Sequence, residues 1–510
     1  MTRPRATPPT QHLRLAPYLL IMAAFGLRLS ALDFQSLWRD EVDAIRFALM
    51  PLPDLLKTFS QPGFNGPLYF LTLRGWIDLT GQSEFALRFL SLIFGVLGVA
   101  LSYVLGRRLF NRPIGLVAAL LLTVSAYHVW YSQEAKMYTL ITTLVLAAIY
   151  SLRRAVEENR RRWWVSVVVC SSLAMYAHIL AALLIPVLVA LFVLWWPLSR
   201  SRLRPGLVAL ALLTLPYVPL AIWQLPLVFQ PAETGFGRFT FSEMALILGN
   251  AYARGILNQL PESLTHLAAA LAAALAVFGL LNYARPAHRH GLRTSSLILL
   301  AWISLPFLAI FIVSLSRPLF TDRYLIWIMP AYYLLIGLGV YALWPRRPTR
   351  SGARPDRSAR PLATVAALSV VFLVAVGSAG IWTQATSIFK ADFRAAARFI
   401  ESARLPDEPI VLHISYIQYN FDYYFKQPYK PIPGITTEQR DAQGNYRDSE
   451  ETVFAQLDAT FAPFKSVWLV ASEVSMWDAR DLLRRWLDAH GTRTHDAHFS
   501  HVDVTRYELR

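Results

Sequence analysis

Three short polar runs interrupt an otherwise apolar chain. SLWRDEVDA places Asp40 and Glu41 just after Trp38. HVWYSQEAKMYTL places Gln133, Glu134 and Lys136 between two apolar stretches. SRPLFTDRYLIWIMP gathers Arg317, Asp322, Arg323 and Tyr324. A carboxylate at a membrane surface can take the proton of a hydroxyl as a general base. An arginine presents a planar fork of donors that fits phosphate oxygens, and a lysine a compact point charge. The first run therefore suits deprotonation of an alcohol, and the other two suit neutralising a phosphate. Each has a plainer reading: a solvated acidic loop, caps and snorkelling side chains at an interface, and an Arg323–Asp322 ion pair.

The elements that must position these groups are membrane spans. Hydrophobic residues make up 55% of the 510 and charged residues 16%, against about 25% charged in soluble domains. That balance excludes an ordinary soluble enzyme and a disordered chain. Aromatics at 13% suit interfacial belts. A span needs about 20 apolar residues, which predicts eleven: 13–32, 86–106, 113–131, 137–152, 163–178, 179–197, 206–225, 263–283, 295–315, 324–344 and 361–384. The shorter piece 67–80 carries Arg74 and Asp78 and has the length of an interfacial or re-entrant segment. With 67–80 not crossing, all the arginine clusters between spans fall on one side, such as Arg107/Arg108/Arg112, Arg153/Arg154/Arg160/Arg161/Arg162 and Arg200/Arg202/Arg204. Positively charged loops mark the cytoplasmic side. The expectation is a multi-pass plasma (inner) membrane protein with an uncleaved first span, a cytoplasmic N-terminus and an extracytoplasmic C-terminus. The formal net charge of +16 is thus read as topology, not as nucleic-acid binding. The lone Cys170 excludes an intramolecular disulfide and a multi-cysteine metal site.

Two domains are expected: a membrane domain over 1–384, with an outer loop 33–85 and a basic cytoplasmic linker 345–360, and a small extracytoplasmic α/β domain over 385–510. The latter carries helix-like DFRAAARFIESAR and MWDARDLLRRWLDAH, strand-like PIVLHI and SVWLVAS, and a closing HFSHVDVTRYEL. Weaker signals are His178 in YAHIL, read as a buried, satisfied histidine, and Arg28, read as snorkelling from the first span. His495, His498 and His501 are spaced by three, and on a strand successive members alternate faces. No Gly-rich nucleotide loop and no HExxH motif occurs.

In order, SLWRDEVDA, NGPLYF, SEFALR, GRRLF and YSQEAKMY resemble the membrane glycosyltransferases of the C-type fold. The branch they resemble holds protein O-mannosyltransferases, lipid A aminoarabinose transferases and galacturonosyltransferase-like proteins. The resemblance covers about 33–155 well and returns at RPLFTDRYLIWIMPAYYLL and DFRAAARFI. It implies an α-helical polytopic fold of about 11 transmembrane helices and a polyprenyl-phosphate-linked sugar donor. By the family's pattern the acidic residue of the first outer loop matches Asp40, with Glu41 beside it, and that of the second matches Glu134. Two departures limit the match. Where family members often carry a His or Lys with a Pro-Pro pair before LYF, this chain has Phe64-Asn65-Gly66-Pro67. The basic residue that follows the acidic pair in the aminoarabinose branch is also missing, which argues against copying that branch's sugar.

The residues and the resemblance together predict a cell-envelope glycosyltransferase acting on a glycan, lipid or protein hydroxyl at the extracytoplasmic face. Asp40 serves as base in an inverting displacement, and Glu134, Lys136, Arg317, Arg323 and Tyr324 meet the donor and its phosphate. No metal ligand is assigned and no cofactor is required, although a divalent cation shared by Asp40 and Glu134 is compatible with the sequence. The alternative is a transporter or flippase of lipid-linked sugars. Such proteins often show repeated halves or broken helices at the midplane, whereas the ionisable residues here gather at the outer ends.

Overall fold

The computed structural model describes residues 11–59, 66–219, 221–222, 237–283, 290–344, 359–441 and 445–510. Most of the linker expected at 345–360, the start of the loop expected at 226–262, and Phe64 and Asn65 lie outside the described residues. The chain divides into two units. One comprises residues 1–32 and 48–386, and the other Asp33–Phe47 with Ser387–Arg510. The front of the expected loop 33–85 is thus grouped with the C-terminal residues, because its backbone and side chains bond to them.

The first unit is helical. Six of its described helices are long and apolar enough to cross a bilayer, or eight if each of two bent pairs makes one span. The first expected span is Gln11–Leu29, and 163–178 is the 17-residue helix Arg161–Ala177. Two expected spans, 179–197 and 206–225, form one bent pair, Ile179–Leu194 with Trp196–Tyr217, at 82°. Pro197 sits in the first turn after that break, where its missing N–H costs nothing. The expected span 113–131 is also bent, by 62°, between Arg112–Thr123 and Ala126–Ser132. There Ser125 takes extended backbone and its hydroxyl accepts from the His128 amide, starting the second helix. Close packing uses small residues: a Cβ on Gly106 would lie 2.8 Å from Gly115 Cα. Leu15, Leu19, Met22, Leu368 and Val371 stay exposed on long apolar helices, as side chains facing lipid do. The segment 67–80 forms helix Leu68–Thr80. Its 13 residues span about 20 Å at 1.5 Å per residue, short of a roughly 30 Å hydrocarbon core.

The second unit is an α/β fold. Its strands are β1 (Ile410–Leu412), β2 (Pro431–Pro433), β3 (Ser466–Ala471), β4 (Gly491–Phe499) and β5 (Val502–Leu509). The sheet order is β2-β1-β3-β5-β4. β1 is parallel to β2 and β3, and β5 is antiparallel to β3 and β4. Helix Phe393–Ala403 packs its Phe393, Ala397 and Ile400 on one face with Trp468 and Val504. Helices Glu450–Phe461 and Leu482–His490 cover the other with Leu457, Leu483 and Trp486. The expected helix 476–490 is broken. The Asp478 carboxylate accepts from the Leu483 amide at 3.3 Å, so the helix starts only at Leu482.

Candidate functional site

The SQEAKMY turn of the first unit is fixed from below by Arg28. This side chain is fully buried and does not snorkel to the interface as its position suggests. Its guanidinium has five N–H donors, and five bonds receive them. Nε donates to Ser132 Oγ at 3.1 Å. Nη1 donates to the Ala24 and Thr123 carbonyls. Nη2 donates to the Leu122 carbonyl at 3.0 Å and to His128 Nδ1 at 2.8 Å. Leu122 and Thr123 end the helix before the 62° bend, so Arg28 caps carbonyls that the bend frees. Gln133 does the same for the first helix, donating to the Arg28 and Ser30 carbonyls at 3.0 and 2.7 Å.

Above this base sit the residues singled out by sequence. Glu134 is 1% exposed and Lys136 9%. Ser91 Oγ donates to the Lys136 carbonyl at 3.0 Å, and the Thr139 hydroxyl donates to the Ser91 carbonyl, which pins the turn to helix Glu84–Leu109. Among the described residues no acid or other acceptor meets the Lys136 ammonium. The RPLFTDRY run meets the same turn. Tyr138, His178, Arg323 and Tyr324 line one small pocket. The His178 and Tyr324 rings are 4.9 Å apart, and Arg323 and Lys136 both act electrostatically on His178. His178 Nδ1 accepts from the Leu180 amide at 3.2 Å. The ring proton therefore sits on Nε2, which is buried and has no partner among the described residues. Sequence reasoning left His178 as a satisfied core histidine; its neighbours, distant in the chain, give it another character. Asp322 acts electrostatically on Tyr127, Tyr131 and Tyr252. Arg317 stands half-buried just past helix His290–Ser316.

Asp40 and Glu41 belong to the second unit, in the first turn of helix Arg39–Leu49. Acidic groups there complement the helix dipole. The Trp38 amide donates to Glu41 Oε2 at 3.4 Å, one half of a capping box. The two neighbours have different jobs. Glu41 is fully buried and pairs with Lys390 at 2.8 Å, the side chains 0% and 5% exposed. Asp40 is half-buried. The segment is bolted into its unit: Ser36 Oγ donates to Asp392 at 2.7 Å, the Leu37 amide to Tyr424 Oη at 2.6 Å, and Arg394 to the Asp33 carbonyl at 2.8 Å. Arg39 pairs with Glu473 at 3.2 Å and lies over the Tyr416 ring. Burial opposes the Arg39 charge, but Glu473, Tyr416 and Asp40 outweigh it and hold its pKa above the usual value. Lys390 had no signal of its own in the sequence, since its partner is 349 residues away.

Among the described residues one group has ligand atoms near enough for a metal: His413, Asp478 and Asp481, within 4.8 Å of one another. Asp478 is already used by His413 at 3.0 Å and Thr437 at 2.7 Å, bonds that fix the loop without an ion. Burial pushes its carboxyl up, and these bonds with the Leu482 and Leu483 amides pull it below the usual range. His495 and His498 lie on β4, His498 pairing with Asp503 at 2.9 Å, and His501 sits in the following turn.

The family model of dolichyl-phosphate-mannose-protein mannosyltransferases matches residues 61–223. An undecaprenyl phosphate-alpha-4-amino-4-deoxy-L-arabinose arabinosyl transferase of Pseudomonas fluorescens is 30% identical over 240 residues, 44% of this chain and 40% of the relative. A Pseudomonas aeruginosa transferase of the same name is 30% identical over 243 residues, 45% of this chain and 43% of the relative. The chain thus spans less than half the length of the curated relatives it matches. The solved structure of ArnT from Cupriavidus metallidurans, bound to undecaprenyl phosphate, aligns over 96% of this chain and 97% of its own. Its TM-score is 0.57 at 16% identity. The chain has the C-type membrane glycosyltransferase fold. The archaeal oligosaccharyltransferase AglB from Archaeoglobus fulgidus shares this fold over 95% of this chain and 73% of its own, with a TM-score of 0.54 at 12% identity. Lys136, His178 and Arg323 gather in the first unit, and Asp40 lies in the second.

Proposed function

We propose that the chain is a membrane glycosyltransferase that moves a sugar from a polyprenyl-phosphate donor to a hydroxyl of a glycan, lipid or protein on the extracytoplasmic face. The observation that carries this reading is the gathering of Lys136, Arg323 and the His178 Nε2–H at one turn, with the Lys136 ammonium met by no acid among the described residues. A buried cation without a counter-charge is costly, and a phosphate supplies one. The donor class is supported by the undecaprenyl phosphate bound to the similar ArnT and by the undecaprenyl phosphate-linked sugar for which the matched relatives are named.

The reaction is a displacement. The acceptor oxygen bonds to the anomeric carbon as the bond from that carbon to the phosphate oxygen breaks, so the centre inverts. Asp40 takes the acceptor proton. Lys136 and Arg323, with His178 donating, stabilise the charge that returns to the phosphate. Glu134, Arg317 and Tyr324 complete the donor-binding set. Glu41, paired with Lys390, orients the helix that carries Asp40.

The test is purified protein supplied with a panel of polyprenyl-phosphate sugars and acceptors, following both released polyprenyl phosphate and glycosylated product. Asp40→Asn is expected to lower turnover by about 10²–10⁴ and leave donor binding intact. Lys136→Ala and Arg323→Ala are expected to weaken donor binding, with Arg323→Lys milder because it keeps the charge and loses the fork. Wild-type turnover in Asp40→Asn would remove that residue as base. Donor crossing liposome bilayers unconsumed would favour a transporter. Mass spectrometry of envelope glycans in a deletion strain then names the sugar and the acceptor.

A further inference from the structure

We propose that the first unit holds a resident anionic phospholipid of the bilayer, in a groove at the far end of the helices from the Lys136–Arg323 cluster. The groove is walled by Trp164, Leu188, Phe192, Trp196, Leu207 and Leu210, and its cavity volume is about 180 Å³. A cavity of roughly 150 Å³ lined by apolar groups takes up benzene, so this one accepts a stretch of acyl chain. A Cβ on Gly206 would come 3.0 Å from the Phe192 ring, so the glycine keeps that wall open. The place is distinct from the candidate donor cluster. Tyr138 lines the His178 pocket and Leu152 lines the groove. Both lie on helix Tyr138–Glu158, about 21 Å apart at 1.5 Å per residue.

The polar end of the groove is strongly basic. Arg200–Arg202 form the turn joining Trp196–Ser199 to Leu203–Thr214, and Trp196 and Leu203 from the two sides line the groove. Helix Leu203–Thr214 follows this turn directly, with no side-chain cap at its N-terminus. Arg202 Nε is buried and has no partner among the described residues. The Trp195 indole N–H, on a side chain 4% exposed, also has none. The nearby acids are engaged elsewhere: Glu157 by Arg108 and Arg153, and Glu158 by Arg154. An apolar slot ending at arginines that no acid among the described residues pairs with, beside the Trp195 N–H, fits one chemistry, a phosphodiester head with an acyl tail. A free phosphate would leave the slot empty, and a zwitterionic lipid would leave the arginines uncompensated. Basic pockets between spans on the cytoplasmic side bind anionic lipid head groups in this way. The inference does not depend on the proposed reaction.

The experiment is native mass spectrometry of the full chain in detergent, titrated separately with phosphatidylglycerol, phosphatidylcholine and a polyprenyl phosphate, with melting temperature as a second reading. One phosphatidylglycerol is expected to bind at least about tenfold more tightly than phosphatidylcholine, raise the melting temperature, and weaken as salt rises. The double variant Arg200→Gln/Arg202→Gln should lose that preference while melting as wild type without lipid. Leu207→Trp, which fills the groove and keeps the charge, should weaken binding of both phospholipids. Arg238→Gln, an exposed arginine elsewhere, should change nothing. Equal affinity for the two phospholipids, or a preference that survives the double variant, would overturn the proposal. So would displacement of phosphatidylglycerol by polyprenyl phosphate in the Lys136→Ala background, which would make the groove the donor's own.

Discussion

Glu41→Gln tests what the buried Glu41–Lys390 pair does. The substitution keeps the shape of the side chain and removes its charge, leaving the Lys390 ammonium, 5% exposed, without its carboxylate at 2.8 Å. The Trp38 ring 5.8 Å away offers only a cation–π contact, worth about 2 kcal/mol when desolvated. Removing one partner of a buried pair costs about 3–5 kcal/mol. In a domain of this size that is a fall of about 10–20 °C in melting temperature. Replacing both partners by neutral groups of similar shape is nearly free, so Glu41→Gln/Lys390→Met should recover most of the loss. The assay is limited proteolysis of the full chain in detergent along a urea series, reading cleavage within 387–510 by mass spectrometry. The single variant should shift the midpoint down, and the double variant should bring it back. Wild-type resistance in Glu41→Gln, or a double variant as weak as the sum of the singles, would refute the assignment.

Three other outcomes are expected. Arg28→Met should sharply lower the stability of the first unit, since each stranded buried acceptor costs about 1–3 kcal/mol and Leu122, Thr123 and Ala24 all lose a donor; folded yield and detergent melting report it, and Arg28→Lys should recover only part. Burial pushes the Glu408 carboxyl up, but Arg506, the Trp468 indole, the Leu405 amide and Ser466 together hold it down at about 2. Because this folded value lies below the unfolded one, the stabilisation is complete above about pH 4.5 and is lost as pH falls towards 2; an acid titration of the second unit should lose that segment in Glu408→Gln. A C-terminal alkaline phosphatase fusion should be active, and an inactive one with a bright cytoplasmic fluorescent fusion would reverse the topology.

Local pattern carries only part of this molecule. The apolar runs near 86–106, 263–283, 295–315, 324–344 and 361–384 are legible because each is continuous and of bilayer length, and the shorter run at 137–152 continues into the 21-residue helix Tyr138–Glu158. The bends are less so. Ser125 and Pro197 mark them, but a capping serine or a first-turn proline does not disclose whether the chain turns by 62° or 82°. In the second unit β1 and β3 show as apolar runs and β5 (VDVTRYEL) carries charges between its apolar residues, whereas β4 (GTRTHDAHF) is a mostly exposed edge strand with no apolar face to read. The candidate site shows the same division. Asp40 and Glu41 are chemically alike and adjacent, and only a lysine 349 residues later separates their environments. Arg28 looks like a snorkelling terminus because its partners, His128 and Ser132, lie about a hundred residues on.

Because Asp33–Phe47 completes a unit whose remainder begins at Ser387, the earliest-made part of that unit is the last to find its place. The ribosome makes roughly 340 further residues before the partners of Gln35, Ser36 and Glu41 exist. At about 5–20 residues per second that is a wait of about 20–70 seconds. Throughout it Glu41 lacks Lys390 and Ser36 lacks Asp392. Nascent chains arrested before Ser387 should therefore leave this segment open to protease, and chains extended through Arg510 should not. A nonsense mutation near Ser387 would then strip order from a stretch encoded roughly 340 codons upstream.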